Sequence, residues 1–598
     1  MPGTATSSIK VGGAIGFWGE AHHATAQLLT DPNLDVLVYD FLAEITLSIM
    51  ARARQKDPAH GYAPDFVTKA MAPNLPQIAA RRVKVLSNAG GMNPSACAAA
   101  LRSEIARQGL TLSVAVVEGD DLRGQMDAVT GSAEMFTGAP FPPARDVLSV
   151  NAYLGAGPIA AALEDGADIV ITGRCVDSAL TLAAAMHAFG WSQDQYDLLS
   201  AGSLAGHLVE CGPQATGGNF TDWDTVPDPA QIGYPIAEIF SDGRITLTKP
   251  PQTGGLVTRE TVGEQLLYEI GDPAAYALPD VICDFTKVHL TALDENQVRV
   301  TGAKGRAPSG QLKVSTTYQD GYRAGQVLNF NGPDARAKGQ AYVAAVLDRT
   351  RRQLADQGAA DFDQIHVEVF GGRPGETAFE EVAVTAAVRH QDARAVSLFL
   401  QEVIGNALAT PPGLHIFTGA GRAKPSPVVA LHSSLIGADI PQVTITRDNG
   451  APTRYTPRPH GPTSPAAQPT APPPAAPAGD MADVPLQAIA VARSGDKGDM
   501  ANIGVLARTS AVMPWIWASL TPKRVGQIFD GLVHGRIQRF YLPGPDAMNI
   551  LMEGALGGGG IASLRNDSQG KAYAQRLLAA PIAIPRHLVP NTSQAARP

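Results

Sequence analysis

The sequence predicts an α/β protein: a large body on a mainly parallel sheet, with a β-rich middle section, and a small α+β domain at its C-terminal end. Three observations predict this. Apolar runs of strand length alternate with helix-length stretches from Lys10 to Trp191, the pattern of βα units and a parallel sheet. From Ile232 to about Phe330, short alternating runs bracket turn residues, as in hairpins. A segment crowded with Pro, Ala and Thr then sets off the last stretch of chain as a semi-rigid linker. The expected divisions are 1–230 for the α/β part of the body, 231–450 for its α+β continuation, 451–484 for the linker and 485–598 for the terminal domain.

Bulk properties narrow the function. At 598 residues the chain exceeds the roughly 250–300 residues at which single cores stop growing. A net charge of -9 and the lack of any basic cluster argue against nucleic acid. No run of about 18 apolar residues predicts a membrane span, and the first residues lack the pattern of a secretory signal. Cys97, Cys175, Cys211 and Cys283 have no C-x-x-C spacing, so neither a zinc knuckle nor a disulfide framework is indicated. A reducing, cytoplasmic setting is expected.

The first strand breaks into a glycine-rich turn, VGGAIGFWGE, whose spacing is not that of a dinucleotide fingerprint. Gly16 and Trp18 are candidates for a ligand-facing loop there, with a plain tight turn as the simpler reading. His22 and His23 are adjacent and cannot form an i, i+4 metal pair. The second strand, LDVLVYD, ends at Asp40, and a helix is expected from Phe41 to Ala53. Asp40 and Glu44 are thus either acids favoured in a first helical turn or a carboxylate pair at a strand's end. The third strand, Val83 to Ser87, runs into Asn88 and Asn93, in a turn that supplies amide groups before a helix from Pro94.

The run from Asp146 to Trp191 reads as a βαβα unit. A buried strand, Val147 to Val150, turns through Gly155 and Gly157 into an apolar helix; those glycines and a helix start suit an anion, or simply a tight turn. The next strand ends at Gly173, with Arg174 and Asp177 just beyond its carboxyl end, where open α/β sheets bind ligands. After Trp191 the polar stretch from His207 to Phe220 holds Cys211, Gln214, Thr216 and Asn219 and reads as pocket lining. His207 and Cys211, four apart, would suit a Cys–His nucleophile pair only with an activated thiolate; a buried structural cysteine is the commoner case.

Hairpins are expected around Asp242-Gly243 and in KVHLTALDENQVRVTGAKG, with a helix between them near Val262 to Ile270. Gly339 to Gln357 and Ala393 to Ala409 read as helices, and IHVEVFGG and EVAVTAAVRHQ as strands. In the terminal domain a strand enters the charged turn Arg493 to Asp499, where Arg493 and Lys497 would bind an anion or form a solvated hairpin.

GFWGE, YDFLAEITLSIMARAR, LSNAGGMNP, ADIVITGRCVDSALTL with HAFGW, CGPQATGGNF and RSGDKGDMANIGV together resemble the acyclic terpene utilisation protein family of bacteria. The resemblance covers nearly the whole chain and implies a ferredoxin-like fold for the terminal domain. It also implies catabolism of branched terpenoid acids, such as citronellic and geranic acid, as coenzyme A thioesters, with a lyase step on a 3-hydroxyglutaryl-type intermediate. It carries no established catalytic residues. After GFWG, where the resemblance leads one to expect Asp-Arg, this chain has Glu20-Ala21-His22-His23, which points to a substrate of its own.

The expected function is therefore a lyase acting on a branched 3-hydroxyacyl substrate, with coenzyme A as part of that substrate. Such chemistry needs a general base and a stabiliser for the enolate oxygen. Asp177, Asp40 and Glu44 are the base candidates, with His207 and Cys211 behind them; Arg174, Asn88 and Asn93 would hold the carboxylate or enolate. The alternatives are a hydratase or isomerase of a small hydroxy acid, and a non-catalytic binding or assembly subunit. A divalent metal fits either reaction, though no ligand spacing marks one. A homo-oligomer is the general expectation for a soluble chain.

Overall fold

A computed structural model describes residues 7–20, 22–372, 380–416, 423–448, 450–457, 470–474, 479–560 and 562–590. The centre of the Pro/Ala-rich segment lies outside the described residues. Its two ends belong to sheets: Thr453–Arg454 to the body and Met481–Pro485 to the terminal domain.

The main sheet has eleven strands and is mixed, which corrects the expectation of a mainly parallel body. Its centre alone is parallel: β1 (Ser8–Gly13), β2 (Val36–Tyr39), β3 (Lys84–Ser87), β4 (Val114–Glu118) and β6 (Ile169–Thr172), in the order β1-β2-β3-β6-β4. Beyond β1 the hairpin β7 (Ile236–Phe240) and β8 (Ile245–Thr248) and the hairpin His289–Asp294 with Gln297–Thr301 add antiparallel strands. Thr444–Arg447 does the same beyond β4. Tight turns reverse the chain, whereas a parallel neighbour needs a long crossover, so the hairpins that the sequence announces dictate the mixed sheet.

The central strands are apolar on both faces because both are covered. Leu37 and Tyr39 of β2 face α1 (Ala24–Leu28), α3 (Leu75–Arg81) and α4 (Pro94–Arg107). Val36 and Val38 face α5 (Gly157–Glu164), α6 (Ala179–Phe189) and α7 (Tyr196–Val209). From β3 the chain leaves to the first face through α4, and from the adjacent β6 to the second through α6. The carboxyl ends of this pair therefore open a crevice.

Three local expectations are corrected. The strand β5 (Val147–Ala152) does not join the parallel sheet; it pairs antiparallel with the long strand Gln311–Gly332, because the edge beyond β4 is taken by Thr444–Arg447. That 22-residue strand replaces the short runs expected before Phe330 and is the spine of a second sheet, flanked by Glu380–His390 and Ser426–Gly437. Helix α2 spans Glu44–Lys56, so Asp40 lies in the extended run before it and shares no helix face with Glu44.

The terminal domain is a four-stranded antiparallel sheet, ordered Ala490–Lys497, Met500–Ala507, Ala547–Met552, Ile537–Leu542. The stretch expected as a charged turn is mostly strand: Arg493 to Lys497 pair with Gly504 to Met500. Alternate residues face opposite ways. Ile503 and Val505 pack on the domain's own helices, while Val491 and Leu506 pack on the body against Phe220 and Leu267. The body's platform is α8 (Arg259–Leu267). Gly504 allows the approach, since a Cβ there would lie 2.2 Å from the Cβ of Leu267. Just beyond α8, otherwise unsatisfied backbone groups find partners in the other domain. Asn502 donates to Leu267 O and accepts from Glu269 N–H, and Asn549 donates to Ile270 O and Gly271 O.

At the centre of this contact Arg493 and Glu264 form an ion pair at 3.1 Å, with side chains 4% and 0% exposed. Removing one partner of a buried pair leaves an uncompensated charge, typically at a cost of about 3–5 kcal/mol. Arg493→Met is therefore expected to lower unfolding stability by about that amount, and Arg493→Met with Glu264→Gln by clearly less. Urea denaturation of the full chain checks this, and equal losses for the single and double variants would contradict it.

Candidate functional site

The crevice is organised around Arg174, which follows β6 and is 3% exposed. Its backbone N–H donates to Asp120 at 2.8 Å, and its Nη1 donates to Leu42 O and to Asp177 Oδ1, both at 2.8 Å. The guanidinium lies 4.1 Å from the ring centre of Tyr153, and its buried Nε has no partner among the described residues. Asp120 also accepts from Asn151 at 2.8 Å, and Gly173 makes room for it, since a Cβ there would lie 2.1 Å from the Asp120 carboxylate.

Around this cation the acids fall into two protonation classes. Burial pushes the Asp40 carboxyl well above its ordinary range, and the neighbouring Asp177 adds to this, outweighing Arg174 and the amide of Asn88. Asn88 anchors that group: it donates to Asp40 and accepts from Phe41 N–H. Burial likewise raises Asp120 to about 7 despite its two donors. Glu44 goes the other way. Burial opposes its ionisation, but Lys313 and Arg174 overcome it and hold the carboxyl down at about 2. Tyr153 donates to Glu44, and Lys313 reaches it at 3.3 Å from the second sheet. Asp177, with 40% of its side chain exposed, faces the open side.

At the end of α7, His207 Nδ1 pairs with Glu210 Oε1 at 2.9 Å, and its buried Nε2 has no partner among the described residues. Burial raises Glu210 to about 7, against the pull of His207, with Asp177 raising it further. The imidazole partner is thus Glu210, not Cys211, because α7 ends at Val209 and the chain turns before the thiol. Burial and the adjacent Glu210 push the Cys211 thiol well above its ordinary range, so it is held protonated.

The terminal domain closes the opposite wall. Lys497 Nζ donates to Glu269 O at 2.8 Å and lies 5.2 Å from the ring centre of Tyr276. Lys571 pairs with Glu269 at 2.9 Å and Asp496 at 3.1 Å.

The crevice therefore gathers Asp40, Glu44, Arg174, Asp177, His207, Cys211 and Lys497, with Asn88 as support. The other expected site residues are engaged elsewhere. Gly16 packs against the Cys211–Gly212 backbone, Trp18 donates to Asp65 at 3.3 Å, and Asn93 donates to Pro58 O and His60 O. Thr216 donates to Gly233 O, Asn219 adopts a left-handed conformation at φ 55°, and Gln214 accepts from the domain-docking Arg493. The turn at Gly155 and Gly157 does receive a carboxylate, and it is the chain's own: Asp280 accepts from Ala156 N–H at 2.9 Å, and Tyr455 closes over Gly157. Glu210, Asp120, Tyr153, Lys313 and Tyr276 escape assignment from sequence. Only Asp120, in the EGDDL turn after β4, and Glu210, in the polar stretch after Trp191, leave a local trace. Among the described residues no group of three His, Cys, Asp or Glu is arranged to hold a metal ion, and no helix is long and apolar enough to cross a membrane.

Residues 9–446 match the model described as acyclic terpene utilisation family protein AtuA, and residues 484–583 match the AtuA ferredoxin-like domain. No curated protein and no solved structure gives a significant match.

Asp280 supplies a test of the filled anion position. Burial raises its carboxyl to about 6, against the amides of Ala156 and Gly157. Its folded value thus exceeds its unfolded one, so its contribution is fully present below about pH 4 and lost as pH rises through about 6. Asp280→Asn keeps the acceptor and removes the charge. It is expected to raise stability at pH 7.5 by up to about 3 kcal/mol and to leave it unchanged at pH 4, as read by melting curves at both pH values.

Proposed function

The chain belongs to the acyclic terpene utilisation family, and from that premise we propose that it is a catabolic lyase acting on a branched 3-hydroxyacyl coenzyme A thioester. The observation that carries this reading is the set of carboxyl groups gathered in one crevice around the buried Arg174 and pushed in opposite directions: Asp40 and Glu210 upward by burial, Glu44 downward by Lys313 and Arg174. Carboxyl groups pushed apart in this way are what paired acid and base roles require.

In carbon–carbon cleavage a base takes the proton of the 3-hydroxyl, the bond between C2 and C3 breaks, and its electrons pass to the thioester as an enolate while C3 becomes a carbonyl. His207 is the proposed base: Glu210, when ionised, accepts Nδ1–H and leaves the Nε2 lone pair for the hydroxyl proton. Asp40 is the proposed acid that returns a proton to the enolate. Arg174 and Lys313 supply positive charge to the developing oxyanion. Asp177 orients Arg174, and Glu44 with Tyr153 orients Lys313.

The test begins with thermal-shift measurements using 3-hydroxy-3-methylglutaryl-coenzyme A, free coenzyme A and 3-hydroxy-3-methylglutarate, each with and without Mg²⁺ or Mn²⁺. A ligand at 100 times its Kd stabilises the fold by about 2.7 kcal/mol. Stabilisation by the thioester is expected; stabilisation by the free acid alone would sink the thioester reading in favour of a hydratase or isomerase. Turnover is expected to rise with pH through about 7 as Glu210 ionises. Glu210→Gln should abolish that limb, and Asp40→Asn should lower kcat by about 10²–10⁴-fold while ligand stabilisation persists. An unaltered pH profile in Glu210→Gln would remove the dyad from the mechanism.

A further inference from the structure

The strand Ala490–Lys497 reads R-S-G-D-K at its end, and the alternation of a strand assigns these residues to two faces. Ser494 and Asp496 face the domain's own C-terminal part: Ser494 donates to Gly570 O, and Asp496 pairs with Lys571. Arg493, Gly495 and Lys497 face the body. Arg493 is buried on Glu264. Gly495 is pressed so close that a Cβ would lie 2.5 Å from Glu269 Cγ and 2.7 Å from the Tyr268 ring. Lys497, next in this series, comes out at the crevice.

The other cations there are matched. Arg174 has Asp177 at 2.8 Å, Lys313 has Glu44 at 3.3 Å, and Lys571 has Glu269 at 2.9 Å. Lys497 has no carboxylate within ion-pair distance among the described residues. Its amine donates to a backbone carbonyl and lies near an aromatic ring, with Lys313 as a like-charged neighbour and Glu269, Asp177 and Glu210 acting on it from beyond ion-pair distance. A crowded cation without a paired anion is costly, and an incoming anion relieves that cost.

We infer that the ferredoxin-like domain is part of the binding site and that the Lys497 amine holds a carboxylate of the substrate, an inference that rests on the crevice being the site proposed above. A single carboxylate fits better than a polyphosphate. Several phosphate charges would be brought against Asp177, Glu210 and Glu269, whereas one carboxylate matches one amine. The domain is thus no detachable assembly module: its docking through Arg493 fixes the residue that completes the site.

The experiment uses the full chain with Lys497→Met and Lys497→Arg. Calorimetric binding of 3-hydroxy-3-methylglutarate and its coenzyme A thioester should weaken at least about tenfold in Lys497→Met, equivalent to about 1.4 kcal/mol, and recover in part in Lys497→Arg. Free coenzyme A should be indifferent to both changes; loss of its binding instead would assign Lys497 to phosphate and overturn the carboxylate assignment. The unliganded melting temperature of Lys497→Met should fall by no more than the loss of its one hydrogen bond to Glu269 O explains, since no ion pair is broken, and unchanged affinity would overturn the inference. A second arm separates this outcome from failure of the proposed function. The chain is acetylated with trace acetic anhydride under rising succinate, with modification read by mass spectrometry. Protection at Lys497 but not at the exposed Lys523 supports the anchor even where the thioester does not bind; equal labelling at both overturns it.

Discussion

The burial of the Arg174 guanidinium is the constraint on which the rest of this structure depends. A cation taken out of water costs several kcal/mol unless its surroundings return that in charge and hydrogen bonds. Its neighbours are drawn from four separate parts of the body: Leu42 after β2, Asp120 after β4, Tyr153 after β5 and Asp177 before α6. Three of them are placed by strands of the main sheet and Tyr153 by β5 of the second, so both sheets have to be assembled before the cation can be satisfied. Asp120 links backbone to side chain here, since its carboxylate holds the Arg174 N–H and occupies the space that Gly173 leaves. The same charge then biases the acids around it, helping to hold the Glu44 carboxyl down while burial pushes that of Asp40 up against it.

The second sheet and the terminal domain close what the first sheet opens. Lys313 is delivered by the long strand Gln311–Gly332, whose backbone at Lys313 O accepts from Tyr153 N–H at 2.9 Å. One register thus places both the cation that neutralises Glu44 and the phenol that donates to it. Helix α8 serves both domains: its buried Gln265 donates to His207 O at 2.9 Å, while Glu264 holds Arg493. Movement of the docked domain would therefore be felt at the base of the histidine.

What was legible in the sequence is what depends on neighbours along the chain. VLVY and IVIT declare themselves as buried strands, and the polar residues just past them, Asp40 with Arg174 and Asp177, do line the crevice. The hairpin at Asp242-Gly243 is read as easily. What was illegible depends on partners far away. β5 looks like a member of the parallel sheet because its apolar run carries no information about which edge is free. The Gly155–Gly157 turn looks like a ligand's anion site because nothing local reveals that Asp280 fills it. His207 pairs with Glu210 rather than Cys211 because the helix stops at Val209, two residues short of the thiol.

Glu20, which follows GFWG, is tied into the same arrangement. Its carboxylate accepts from Gly16 N–H at 2.6 Å and from Tyr234 at 2.8 Å, and it lies so close to Gly212 that a Cβ there would be 2.4 Å away. His22, by contrast, sits beside Lys69 on an exposed edge. Glu20 therefore supports the turn that follows Glu210 and Cys211. A change of residue at position 20 is therefore felt first at the Gly16 turn and at the Gly212 backbone, next in the chain to Glu210 and Cys211.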